Sequence, residues 1–215
     1  MSLLPDLSGG TVVAEQLLFG EQFWWYVARS SGIVALGLAG ASVIWGLLLG
    51  TKLLDGRPGP RWLLDLHRWL GGCTVAFTGI HVGALMLDSY VDFGVVDILV
   101  PGASSWDPGA VAWGVVSMWM LVAVQVSSMF MRRLPRHLWK GIHLLSYLML
   151  WSGIIHGVQA GTDSGNPVYV WSMAAMALIV VFLTFYRIVA TRRTRRPAAS
   201  REREEAFSGR SGTAT

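Results

Sequence analysis

Five apolar stretches, each close to the length of a bilayer crossing and separated by short turn-rich breaks, constrain this chain more than any other feature. They run over about 24–50, 64–87, 110–131, 138–160 and 168–190. A hydrocarbon core of roughly 30 Å is crossed by about 20 helical residues, and a backbone in lipid must satisfy its own hydrogen bonds. The pattern predicts an all-α integral membrane protein, a five-span transmembrane helical bundle. The breaks hold residues that interrupt helices: DGRPGP at 55–60, PGASSWDPG at 101–109, RRLPR at 132–136 and GTDSGNP at 161–167. Composition agrees, because 53% of the 215 residues are hydrophobic and only 14% are charged, a balance outside that of soluble domains.

Loop charge sets the expected orientation. Lys52, Arg57, Arg61 and Arg68 follow the first span, Arg132, Arg133, Arg136 and Lys140 follow the third, and TRRTRR at 191–196 follows the fifth. The breaks after the second and fourth spans have no Lys or Arg and carry Asp88, Asp92, Asp97, Asp107 and Asp163. By the positive-inside rule this is an N-out, C-in protein of the plasma (cytoplasmic) membrane. The net charge of +4 reports topology, so membrane lipids are expected as partners and nucleic acid is not. Residues 1–23 read as a short outer segment, with VVAEQLLF along the membrane surface. The opening MSLLPDLSGG lacks the basic region of a secretory signal. Residues 191–215 read as a basic, disordered cytoplasmic tail. The lone Cys73 has no partner for an internal disulfide and reads as a packed thiol.

Four of the five histidines lie inside spans: His67 and His81 in the second, His143 and His156 in the fourth. An imidazole in hydrocarbon needs a partner for its N–H and its lone pair. Spans two and four run in the same direction, so the histidines pair by depth, His67 with His143 and His81 with His156. At 1.5 Å per residue the two levels are roughly 20 Å apart. Bis-imidazole ligation of haem iron accounts for all four at once, with one ligand pair near each membrane face. Gly71, Gly72, Gly79 and Gly83 in span two, and Gly141, Gly153 and Gly157 in span four, would give a macrocycle room; close helix packing through small residues predicts the same glycines. At about 100° per residue, fourteen residues return His81 to within roughly 40° of His67, but thirteen leave His156 about 140° from His143. Span four is therefore expected to be distorted, or its two ligands to leave it at different azimuths. His137, at the membrane boundary, reads as solvated.

The residues LHRWLGGCTVAFTGIH at 66–81 and HLLSYLMLWSGIIH at 143–156, with WYVARSSGIVALGLAGASVIWGLLLG at 25–50 as the preceding helix, resemble the ferric reductase-like transmembrane domain. Ferric-chelate reductases, NADPH oxidases and the haem subunit of bacterial periplasmic methionine sulfoxide reductase systems share it. The resemblance covers about 24–190. It implies a dihaem b-type bundle that moves electrons across a membrane, with His67, His81, His143 and His156 as ligands of two b haems. Parallel helices of the oxidases and reductases carry ligands at the same fourteen and thirteen separations. Fused relatives continue into a flavin and nicotinamide domain, whereas this sequence has no GxGxxG stretch. Flavin is thus expected only through a partner: the donor is a cytoplasmic flavoprotein or a quinol, and the outer acceptor is unspecified.

Arg29, near the outer end of span one, either pairs with an outer haem propionate or snorkels to the headgroups. Arg68 and Lys140 flank the inner ligands and either hold inner propionates or serve only the positive-inside asymmetry. Phe77 and Trp151 lie between the ligand levels and read first as packing. Two other readings are a quinol-linked dihaem cytochrome b subunit and, from a different class, a histidine-lined metal or proton transporter. Against the transporter, spans two and four carry no midplane carboxylate and the chain shows no inverted repeat.

Overall fold

The computed structural model describes residues 22–50, 61–88 and 93–211, with side chains described as far as residue 190. The expected surface segment VVAEQLLF and the charged residues Lys52 and Arg57 lie outside the described residues. Five long helices carry the apolar stretches: α1 (Phe23–Gly50), α2 (Arg61–Leu87), α4 (Pro108–Met129), α5 (Arg136–Ala160) and α6 (Pro167–Ser211). A five-residue helix, α3 (Val95–Leu99), precedes α4. All five long helices are long and apolar enough to cross a membrane, α6 over Pro167–Ala190. Beyond residue 190 the backbone of α6 stays helical to Ser211, where the sequence predicts a disordered tail. Arg, Ala and Glu, abundant there, are good helix formers and let a helix started in an apolar segment run on.

Helix starts follow local chemistry. Pro108 and Pro167 occupy first helical positions, where a missing N–H costs nothing. Asp107 caps α4 by accepting from the Ala110 N–H at 3.2 Å, and Asn166 accepts from the Val168 N–H at 2.9 Å. Asp97 closes the first turn of α3 by accepting from the Gly94 N–H at 2.8 Å. Three polar residues of the non-basic breaks thus serve as caps.

The core lies between α1, α4, α5 and α6. Ala39, Val43 and Leu47 meet Leu121, Met149, Leu150, Val180 and Leu183 there. α1 runs along α2 and α4 along α5, while α1 also touches α5 and α6. α2 stands at the edge, with only Leu63, Thr74 and Ala84 buried, and its closely packed neighbours do not include α5. Outward faces are apolar: Trp69, Trp171, Leu178 and Phe182 are all exposed. Such surfaces suit acyl chains and not water.

Candidate functional site

The histidines meet in two pairs. The rings of His67 and His143 have centroids 6.0 Å apart, and those of His81 and His156 are 6.3 Å apart. The planes in each pair are steeply inclined, at 70° and 77°. Because the pairs join like ends of α2 and α5, the two helices run parallel. They face each other across a gap that these rings bridge.

Neighbouring helices orient three of the four rings. Nδ1 of His67 donates to the Ser42 carbonyl at 3.1 Å, Nδ1 of His81 to the Ala28 carbonyl at 2.7 Å, and Nδ1 of His156 to the Ala110 carbonyl at 2.8 Å. A carbonyl only accepts, so each of these nitrogens carries the proton and Nε2 keeps its lone pair free. Each of the three rings also lies against a glycine. A Cβ on Gly46 would come within 3.2 Å of His67, one on Gly32 within 2.8 Å of His81, and one on Gly114 within 2.8 Å of His156. His143 differs: its ring stacks on Trp139 of its own helix, centroids 5.2 Å apart and planes at 26°, and its buried Nδ1 has no partner among the described residues.

These contacts resolve the thirteen-residue spacing. α5 is one uninterrupted helix, so the offset is taken up by the rings. His156 leaves on the side of α4, where Ala110 and Gly114 receive it, and His143 leaves over Trp139. The two rings leave a continuous helix toward different neighbours.

Sequence reasoning placed the four histidines and missed what holds them. The acceptors Ala28, Ser42 and Ala110 are backbone carbonyls, which leave no mark in side-chain chemistry. The close glycines sit on α1 and α4, not on the histidine helices. One signal was present: Ala28 and Ser42 are fourteen apart, as are Gly32 and Gly46, the same interval as His67 and His81. Of the glycines singled out earlier, Gly72, Gly79, Gly83 and Gly141 face open space. Gly153 packs against Leu36 and Ser117, Gly157 against Tyr169 and Leu36, and Gly71 near Gln125.

The charged candidates separate. Arg29 grips Asp163, with Nε donating to Oδ2 at 2.7 Å and Nη2 to Oδ1, and its guanidinium lies over Trp25 at 5.1 Å. Its partner is thus a carboxylate from the α5–α6 loop, which the sequence reading had not raised. The Arg29 fork holds the Asp163 carboxyl below the ordinary carboxylate range. Arg68 makes an exposed pair with Asp65 at 3.2 Å, and Lys140 and His137 are exposed. Trp151 is partly exposed and lines a groove with Val180, Val181 and Thr184 of α6.

At each level, then, two imidazole rings meet across a gap between helices. Among the described residues no group of three His, Cys, Asp or Glu side chains comes together to hold a metal ion. Two donors suit a metal whose remaining positions are filled by a planar macrocycle better than a bare cation, which takes four or more protein or water ligands.

No curated protein and no solved structure matches the chain. A family model, that of the ferric reductase like transmembrane component, matches residues 31–154. That segment contains His67, His81 and His143 and stops two residues before His156, whose place in the site rests on its contact with His81. It spans more than half of the 215 residues, and the chain belongs to the ferric reductase-like transmembrane component family.

Proposed function

We propose that this multi-pass membrane protein is the electron-carrying membrane subunit of an oxidoreductase. In this reading it lies N-out and C-in in the cytoplasmic membrane, holds one b haem between His67 and His143 near the inner face, and holds a second between His81 and His156 near the outer face. When bound, haem supplies a one-electron iron couple at each level.

One observation carries the reading: two histidine pairs, stacked along parallel helices, with centroid separations of 6.0 and 6.3 Å. An imidazole nitrogen lies about 2 Å from a first-row metal and about 1 Å from its own ring centre, so two rings flanking one metal atom have centroids about 6 Å apart. Three of the four rings point Nε2 away from their carbonyl anchors, the tautomer that metal ligation needs.

The remaining residues bind and orient. Ala28, Ser42 and Ala110 fix ring rotation, and Gly32, Gly46 and Gly114 let helices α1 and α4 come close enough to do so. Basic residues at the inner end, Arg68 and Lys140 among them, favour an anionic headgroup or propionate and a cytoplasmic partner. The electron donor is a flavoprotein or a quinol on that side. A quinol-linked cytochrome b subunit is the same bundle with a different donor.

The test is haem content per polypeptide, by pyridine haemochromogen, on detergent-purified protein beside His81→Ala and His143→Ala. About two haems in the wild type, with each variant losing a different one, is the expected result. Protein free of haem when expressed with adequate haem supply, and taking up divalent metal instead, would overturn it.

A further inference from the structure

Three of the four paired histidines are restrained twice, by a carbonyl on Nδ1 and by a glycine against the ring. His143 has neither restraint. Among the described residues its Nδ1 is buried without a partner, and none of their glycine contacts falls on its ring. What positions it is stacking on Trp139 and the ring of His67 opposite. Trp139 gives no polar help, because its own Nε1 is also buried and has no partner among the described residues. The stack therefore holds the His143 ring without a hydrogen bond between the two side chains.

The difference has chemical content. A ligating imidazole is kept in orientation, and made more basic, by the bond its second nitrogen makes. A ring with that bond and a steric wedge must break the one and push back the other before it can leave a metal. A ring held by packing alone has only to rotate about its side-chain bonds. The asymmetry falls within one site: His67 is fixed to α1, and His143 is held by packing alone.

We propose that His143 is the releasable ligand of the four, so that the His67–His143 site can exchange it for a small neutral ligand while the His81–His156 site stays closed. The inference rests on the dihaem reading. The exchange balances without a redox change: one iron–nitrogen bond breaks, one bond from ferrous iron to the entering carbon forms, and the displaced imidazole keeps its proton on Nδ1. Electrons that make the iron ferrous come beforehand from added dithionite.

The experiment uses carbon monoxide on dithionite-reduced, detergent-purified full-length protein whose haem content has been measured. In the wild type, the Soret band of one haem of the two shifts on adding carbon monoxide and the other stays unchanged. Trp139→Ala, which removes the stacking, speeds that shift about threefold to tenfold. Trp139→Phe, which keeps an aromatic face, leaves it close to the wild-type rate. Lack of reaction at both haems of the wild type, equal reaction at both, or a rate that Trp139→Ala leaves unchanged would each overturn the proposal. A protein without haem fails at the haem assay, before carbon monoxide is added, and overturns the dihaem reading together with the inference.

Discussion

A methyl group on Gly32 would lie 2.8 Å from Nδ1 of His81, the nitrogen that donates to the Ala28 carbonyl one turn earlier on the same helix. Helix α1 therefore holds the ring from two directions, by a hydrogen bond and by a close surface. Gly32→Ala must push the ring off its acceptor. On the dihaem reading proposed above, the expected outcome is loss of most of the haem assigned to His81 and His156, with the other kept. Gly114→Ala, equally close to His156, should do the same, and Gly46→Ala, at 3.2 Å from His67, should act more mildly on the other haem. Gly37, with nothing near it, is the neutral control. Haem content and reduced-minus-oxidised spectra decide the series.

Gly157 and Tyr169 form a second tight approach, since a Cβ on Gly157 would come 2.6 Å from the Tyr169 hydroxyl. Gly157→Ala is expected to cost about 1–3 kcal/mol through overpacking between α5 and α6. In a Tyr169→Phe background the obstructing oxygen is gone, and at least half of that cost should disappear. Thermal unfolding in detergent of the two single variants and the double variant measures the coupling.

The Arg29–Asp163 pair has a definite pH signature. Asp163 sits below the ordinary carboxylate range because Arg29 donates to it. A carboxyl lowered on folding contributes stability above its unfolded value, and that contribution is lost as pH falls through the folded value. Asp163→Asn should therefore be slightly less stable than the wild type at pH 7. The difference should begin to shrink below about pH 4 and close only as pH passes the lowered folded value. Melting curves of both proteins from pH 7 to pH 3 check the sign, and a gap that widened on acidification would contradict it.

Leu150 and Leu47, both almost fully buried in the core among α1, α4, α5 and α6, should each cost about 2–4 kcal/mol when cut to Ala, mainly through the cavity left. Leu178, on the exposed face of α6, loses only contacts that lipid or detergent replaces. Its Ala variant should unfold within a few degrees of the wild type.

Residue by residue, the sequence was most informative where one physical term dominates. Helix length and hydropathy fixed the five spans to within a few residues, and Pro108, Pro135 and Pro167 marked where helices begin. The five residues of α3 are too few for any periodicity to show. Depth pairing of His67 with His143 and of His81 with His156 followed from the common direction of spans two and four together with helical rise. Their azimuths did not, because an ideal-helix angle ignores the reach of the imidazole and the neighbour that receives it, α4 for His156 and Trp139 for His143. The glycine argument looked to the histidine helices, while the glycines that press on the imidazoles lie on α1 and α4. Arg29 and Asp163 are 134 residues apart, and the packing of α1 against α5 and α6 brings them together.

Helix α1 contributes no ligand, yet its fourteen-residue interval between Ala28 and Ser42, echoed by Gly32 and Gly46, matches the interval between His67 and His81 on its antiparallel neighbour. It works as a ruler laid along α2, graduated in the same units. Any other apolar helix of the same length would still cross the bilayer. Inserting a single residue between Gly32 and Ser42 would leave hydropathy unchanged, yet turn one set of marks by about 100° against the other. One imidazole would then keep its aim and the other would lose it.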